Sequence, residues 1–329
     1  MTVVSAVVVN LNQREHVARC LESLAAALER VDGPTEVVVV DNGSTDGSNQ
    51  LIRERFAGVR LIELGRNTGF PPAAAEGVRA TSGEWVLFLN NDATIEPDAV
   101  ARLLEAARGR ADVGSLAAQM RFAGGGADRL NSAGIGVDRL GVAYDRLLGA
   151  PASASETSVT EVFGASGGAA LYRRAMLEDI GGIDETFFVY LEDVDVAWRA
   201  RMRGWRCLYV PSAVVHHHHS VTTGHGSPFK HFHVGLNRVR MLAKNMTARQ
   251  LLVWGAPIAA YDLVYVVYAG VTDRTLAPLR GRWAGLKEWR RYRALPVTRD
   301  PSVLEPVRGV RAALARRRAW RASSGGVGR

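Results

Sequence analysis

Cysteine is nearly absent: the 329 residues contain two, Cys20 and Cys207. That excludes a disulfide framework and leaves both thiols as small core residues in a reduced, cytosolic setting. A glycine-rich loop after the first apolar run is also missing. Residues 3–10 are mostly β-branched, and Leu11, Asn12, Gln13 and Arg14 follow without a glycine. That argues against a nucleotidyltransferase phosphate loop, and the turn after residues 37–41 is not the G-x-G-x-x-G of dinucleotide binding, which argues against NAD. Residues 1–9 are apolar but lack a basic start and a small-residue cleavage site, so they predict a buried strand rather than a secretory signal. No internal repeat is found. Disorder is expected only in residues 322–329, which are small, polar and glycine-rich.

Charge is present but unevenly placed. Residues 274–329 carry 15 Lys/Arg against 3 Asp/Glu, whereas residues 1–273 carry 26 against 30. The tail is therefore +12 and the body −4, which together give the net +8. A mildly acidic body with a basic tail predicts contact between the tail and an anionic surface.

The first hundred residues alternate between strand and helix signals. Residues 3–10, 36–40, 59–63 and 84–90 read as strands. Residues 14–30, 45–56, 72–81 and 97–108 read as helices, the first with Val17, Leu21, Leu24 and Leu28 at helical spacing. Such alternation predicts an α/β fold with a mostly parallel sheet flanked by helices. In these sheets ligands gather beyond the carboxyl ends of the strands, which points to Asp41 and to Asn90, Asn91 and Asp92. Residues 114–162 are Gly/Ala-rich and read as irregular, with loops such as 123–126. A helix is expected over 193–203 and a strand over 206–210 leading into Val214 and Val215.

Four constellations can carry chemistry. Asp41 ends a valine run and is followed by a turn; its carboxylate suits a pyrimidine N–H, and an Asx turn would use the same residues. Asp92 ends Leu89-Asn90-Asn91-Asp92 and suits a hard cation that takes its other oxygens from phosphate and water. Glu192, Asp193 and Asp195 crowd a helix start, where acids cap the helix but also raise one another's pKa. The run 216–219 is four histidines, of which a strand points alternate ones to one side.

Six segments in order resemble family-2 glycosyltransferases of the GT-A fold, especially the rhamnosyltransferase-like branch. They are Val8-Val9-Asn10-Leu11-Asn12, Val40-Asp41-Asn42-Gly43-Ser44-Thr45-Asp46 and Asn67-Thr68-Gly69-Phe70. Leu89-Asn90-Asn91-Asp92, Phe163-Gly164-Ala165-Ser166-Gly167-Gly168, and Gly181-Gly182-Ile183-Asp184-Glu185 through Glu192-Asp193-Val194-Asp195 follow. The resemblance implies a catalytic domain over 1–246; charge and apolar spacing predict a helical, basic, membrane-associating region over 247–329. It implies that Asn10, Asn12, Asp41, Asn67, Gly69 and Asn91 bind the donor and that Asp193 is the catalytic base. Gly167, Gly168 and Glu192 would lie on the acceptor side. Asp92 and a histidine would hold Mg2+ or Mn2+; spacing from Pro211 favours His217 and leaves His216 and His218 open. The family's DXD element reads Asn90-Asn91-Asp92 here, without its first acid. Pro71 and Glu76 replace the usual alanine and asparagine, and the later helix reads Leu236-Asn237-Arg238.

The expectation is an inverting transferase moving a rhamnose-like or other hexose from a UDP- or dTDP-sugar to a glycan or lipid-linked glycan in cell-envelope polysaccharide synthesis. A nucleotidyltransferase would show a glycine-rich phosphate loop; a degenerate, membrane-recruited scaffold has only the missing acid in its favour. Residues 251–271 are long enough to cross a bilayer, but Gly255, Pro257 and Asp262 disfavour it. Arg280, Arg282, Lys287, Arg290, Arg291 and Arg293, interleaved with Trp283, Trp289 and Tyr292, suit a helix lying on an anionic membrane surface rather than a nucleic-acid arm. The enzyme is therefore expected to be peripheral, on the cytoplasmic face of the plasma membrane.

Overall fold

The computed structural model describes residues 2–124, 128–218 and 226–307. His219, Gly125, Gly126 and residues 308–329, with seven of the tail's basic residues, lie outside the described residues.

The chain begins β1 (Val4–Asn10), α1 (Arg14–Leu28), β2 (Thr35–Asp41), α2 (Ser48–Arg55), β3 (Val59–Glu63), α3 (Phe70–Arg79) and β4 (Trp85–Leu89). β5 (Ala93–Ile95), α4 (Ala99–Ala107), β6 (Val113–Phe122), β7 (Leu130–Ser132), β8 (Ile135–Val137), β9 (Ala143–Asp145), β10 (Thr160–Val162) and β11 (Ala169–Arg173) follow. Next come α5 (Arg174–Asp179), α6 (Glu192–Met202), β12 (Arg206–His217), α7 (Pro228–Asn245), α8 (Ala248–Thr272), α9 (Ala277–Lys287) and α10 (Trp289–Arg293).

Ten strands form one sheet in the order β10-β12-β6-β11-β4-β1-β2-β3, with β5 on β12 and β7 on β6. The first half is parallel, as the strand–helix alternation requires. β11 enters antiparallel between β4 and β6. The period-2 pleat divides β1 between two cores. Val4, Ala6 and Val8 face α1 and α4, packing with Leu21, Leu24 and Leu103. Val7 faces the opposite layer with Ala74, Met176 and Val196. Each such fully buried aliphatic side chain contributes about 1.5–3 kcal/mol.

Residues 114–162, expected to be irregular, instead supply five strands, among them the ten-residue β6 at the centre of the sheet. Its sequence, VGSLAAQMRF, has little intrinsic strand preference. β6 is a strand because β12 and β11 hydrogen-bond it from both sides.

The strand expected over 206–210 and leading into Val214 and Val215 is one continuous element, β12, that runs on to His217. It pairs with β6 through a register break between Val210 and Val214, which accommodates Pro211, Ser212 and Ala213. Proline has no N–H for the ladder, so an irregularity there is the expected compromise.

After Met246, Thr247 and Gln250 close a capping box that opens α8. α8 is long and apolar enough to span a bilayer by length and composition. Its one internal acid, Asp262, turns toward the protein and pairs with Arg238 at 2.8 Å and Arg282 at 2.9 Å. Its other face exposes Leu252, Leu263, Val264, Val267 and Val271. The aromatic and basic residues expected on the surface divide. Arg282 and Tyr292 are buried, Arg282 donating to Asp262 and the Pro278 carbonyl and Tyr292 to Thr186, while Arg293 donates to the carbonyls of Ala243 and Met246 at the end of α7. Trp283, Arg280, Lys287, Arg290 and Arg291 stay exposed. α7 and α9 touch closely: a Cβ on Gly281 would lie 2.1 Å from the Phe232 carbonyl oxygen.

Candidate active site

Where β1, β2 and β4 end, the sheet opens on a cavity of about 410 Å3. Asn67, Gly69, Asn91, Asp92 and His217 line it, as do Gly167, Gly168, Glu192 and Asp193. Asn10, Asn12 and Asp41 lie outside that lining, behind its β1–β2 edge.

Those three residues form a connected polar layer. Asp41 is buried, and its Oδ2 accepts N–H groups from Gly43 at 3.1 Å and Ser44 at 2.9 Å, and Asn49 Nδ2 at 3.1 Å. Oδ1 takes only a long contact from Asn10 Nδ2, at 3.4 Å. It keeps capacity for a further donor, the property a base N–H would use. Asn10 Oδ1 accepts from Asn91 Nδ2 at 2.9 Å, linking β1 to the β4 terminus. Asn12, in a left-handed conformation, accepts the Thr45 N–H and so ties its turn to the one after β2. Asp46 accepts from the Ser48 and Arg14 backbones, the local capping work its position suggests. Asn42 joins the next loop: it donates to Asn67 Oδ1 and the Gly69 carbonyl and accepts from Thr68. Gly69 is required there, since a Cβ would stand 2.4 Å from the Phe188 carbonyl oxygen at a φ of 95°.

The second corner joins β4 to β12. His217 Nε2 lies 3.1 Å from Asp92 Oδ1 and 3.2 Å from Asn90 Nδ2. His217 Nδ1 lies 3.0 Å from Asn131 Oδ1. The strand phase turns His217 inward, while His216 faces Glu96 and His218 packs edge-on against His16. Burial pushes the Asp92 carboxyl up, but the hydrogen bond and charge of His217 outweigh it and hold it below the usual range. Among the described residues, no group of three or more His, Cys, Asp or Glu side chains could enclose a metal. The chemistry of the pair nevertheless fits a divalent cation that arrives with its own ligands. With Nδ1–H donating to Asn131 Oδ1, the Nε2 lone pair faces a carboxylate oxygen, and a cation between them would relieve that opposition.

The third corner is the start of α6. Tyr190 and Leu191 both have left-handed backbones, and the turn they make aims Glu192 and Asp193 into the cavity. Asp193 Oδ2 accepts the Gly167 N–H at 2.9 Å, and Oδ1 accepts the Val194 N–H. Burial pushes its pKa up despite these donors. Glu192 is pushed up by burial and then by the charge of Asp193, and its Oε2 is buried without a hydrogen bond. Asp195, grouped with them in sequence, turns away. It is fully buried against Arg199, Lys244 and Asn245.

Several cavity residues had no sequence signal. Asn131 and Asp145 come from the unpatterned stretch around β7–β9, and Lys230 is one cation among many. Burial raises Asp145 to about 6, and burial lowers Lys230. Asn90 was marked by its strand end, whereas Asn42 lay inside a recognised segment and only its contacts single it out.

The strand order, the antiparallel insertion of β11 and a polar cavity at the strand ends define the GT-A glycosyltransferase fold. The model of glycosyl transferase family 2 matches residues 5–181, and the chain belongs to that family. It is 34% identical over 242 residues to N-acetylglucosaminyl-diphospho-decaprenol L-rhamnosyltransferase of Mycobacterium tuberculosis (strain CDC 1551 / Oshkosh), covering 68% of this chain and 78% of the relative. The protein is thus a rhamnosyltransferase-like family-2 glycosyltransferase. Among solved structures, GalNAc-T7 with UDP, GalNAc and Mn2+ aligns with a TM-score of 0.62 at 14% identity. That match covers 90% of this chain, which spans 59% of GalNAc-T7. The mannosyltransferase PcManGT from Pyrobaculum calidifontis, solved with GDP-Man and Mn2+, aligns with a TM-score of 0.51 at 20% identity, over 97% of this chain and 80% of that one. At these identities the likeness concerns the fold.

Proposed function

We propose that the protein is an inverting, metal-dependent hexosyltransferase. It would move L-rhamnose or a related hexose from a UDP- or dTDP-sugar to a lipid-linked glycan in cell-envelope polysaccharide synthesis. The observation that carries this reading is one cavity holding the Asp92–His217 pair, the Asp193 carboxylate with raised pKa, and the Asn91–Asn10–Asp41 layer behind it. The relative's name adds the acceptor class, a sugar on a diphosphate lipid.

In this reading Asp41 accepts the pyrimidine N–H through Oδ1, and Asn42 holds the 67–69 loop against the donor. Asp92 and His217 would hold Mg2+ or Mn2+, which when bound offsets the charge on the leaving diphosphate. The acceptor oxygen bonds to the anomeric carbon as the bond from that carbon to the phosphate oxygen breaks. The hydroxyl proton passes to Asp193. A single in-line displacement inverts the centre and needs no enzyme nucleophile.

The membrane expectation gains support from α8. With Asp262 held by Arg238 and Arg282, the helix lies along the body and turns its apolar face outward, beside exposed Trp283, Lys287, Arg290 and Arg291. That combination suits a helix resting in the headgroup layer on the cytoplasmic side.

The test is incubation with Mn2+, N-acetylglucosaminyl-diphospho-decaprenol in detergent, and a panel of UDP- and dTDP-hexoses. Release of nucleoside diphosphate and a product of opposite anomeric configuration by NMR is expected. Pyrophosphate release, or retention of configuration, overturns the reading. Asp92→Ala should weaken nucleoside diphosphate binding with Mn2+ and leave it unchanged in EDTA. Anionic vesicles should bind the protein and release it in high salt; release by detergent alone would mean that α8 spans.

A further inference from the structure

One stretch of the cavity wall has no part in that mechanism. It is assembled from distant points in the chain: Asp145 at the end of β9, Tyr190 just before α6, and Phe229 and Lys230 at the start of α7. The Lys230 ammonium lies over the Tyr190 ring, 5.3 Å from its centroid. Asp145 bonds to Ser132, its charge acts on Lys230, and the charge of Asp193 acts on it in turn. Phe229 is 43% exposed at the rim, with its ring 4.4 Å from that of His233 and 6.2 Å from that of Phe188.

The wall is held in place at some cost. Tyr190 and Leu191, at φ of 71° and 67°, occupy a region that side-chain-bearing residues avoid. Asn237 Nδ2 donates to the carbonyls of Val189 and Tyr190, at 2.9 Å each, and fixes the turn from α7. Strain held by a dedicated buried side chain is expected where a surface must be preorganised for a ligand.

The chemistry is that of a sugar site. Aromatic faces take the C–H side of a pyranose, a carboxylate accepts from its hydroxyls, and an ammonium donates to them. A diphosphate would meet repulsion from Asp145. Tyr190 and Asp193 line the same cavity, so a sugar held on this wall shares it with the base.

We propose that Asp145, Lys230, Tyr190 and Phe229 form the subsite for the pyranose of the acceptor. This rests on the transferase reading above. The full-length protein is assayed with N-acetylglucosaminyl-diphospho-decaprenol in micelles and whichever nucleotide sugar supports turnover. Asp145→Asn and Lys230→Met should raise the acceptor KM about tenfold or more, the loss of one buried charged hydrogen bond. Phe229→Ala, at an exposed rim position that tolerates truncation, should raise it about threefold, a weaker packing loss. The Kd for the nucleoside diphosphate with Mn2+ should stay within about twofold in all three, since an independent site is untouched. Unchanged acceptor KM in the three variants overturns the proposal. So does a rise in donor KM or nucleotide Kd in its place, which would assign the wall to the donor sugar. Should the wild-type protein transfer nothing to this lipid, the acceptor assignment fails with the function reading rather than on its own.

Discussion

The two faces of α6 treat the same functional group in opposite ways. On the cavity face, Asp193 has two backbone N–H partners, and burial drives its pKa up. Two residues along, on the rear face, Asp195 meets the Arg199 guanidinium at 2.8 Å, the Lys244 ammonium at 2.9 Å and the Asn245 amide at 3.0 Å. Burial would raise it too, but those charges and donors bring it down to about 2. A carboxylate becomes a base or a brace according to how many donors surround it. The rear face fixes α6 to α7, since Lys244 also pairs with Asp184 at 2.7 Å, and the front face is thereby kept poor in partners and in position.

The comparison can be broken at either face. The largest effect is expected at the rear: Asp195→Ala leaves the buried Arg199 guanidinium without a carboxylate and Lys244 with Asp184 alone, and should cost about 3–5 kcal/mol in urea unfolding. A loss under about 1 kcal/mol would show that the brace is idle. Because the folded pKa of Asp195 is depressed, its contribution is present above the unfolded value of about 3.9 and fades as pH falls toward 2. Next comes the front face, where Asp193→Asn should lower kcat roughly 10²-fold and leave nucleotide affinity and stability near wild type. Near-normal turnover removes it as the base. Third, the raised pKa of Asp193 means that its basic form is lost as pH falls while an ordinary aspartate would still be ionised. The acid limb of kcat should therefore lie above about pH 4, the usual aspartate value. A limb at or below it would place the base elsewhere. The smallest effect is expected for Glu192→Gln. Burial and the Asp193 charge hold that carboxyl protonated, so a neutral amide should change kcat at pH 7 by less than about threefold. A large loss would make Glu192 an ionised participant.

Legibility in the sequence followed the strength of the local signal. β1 to β4 were readable because short apolar runs alternate with helix signals, the first two runs being rich in valine, and Asp41 and Asp92 were readable because strand ends are where such sheets bind. β6 was not readable, because its glycine, serine, alanines and glutamine become a strand only through neighbours distant in sequence. Asn131 and Asp145 were hidden for the same reason: they sit on three-residue strands whose positions are set by tertiary pairing. Crowding of three acids marked the start of α6 but could not separate Asp193 from Asp195. That difference is made by Lys244 and Asn245, about 50 residues later in the chain.

The register break in β12 decides which imidazole meets Asp92, and the residues that follow it are alike. Deleting one residue among Pro211, Ser212 and Ala213 would draw His218 into the place of His217; adding one would leave His216 there. In either case the arriving side chain carries the same ring. The histidine run thus makes the β12 corner tolerant of single-residue length changes upstream, whereas the Asp92 corner, with asparagines before it and an alanine after it, has no spare acid to offer.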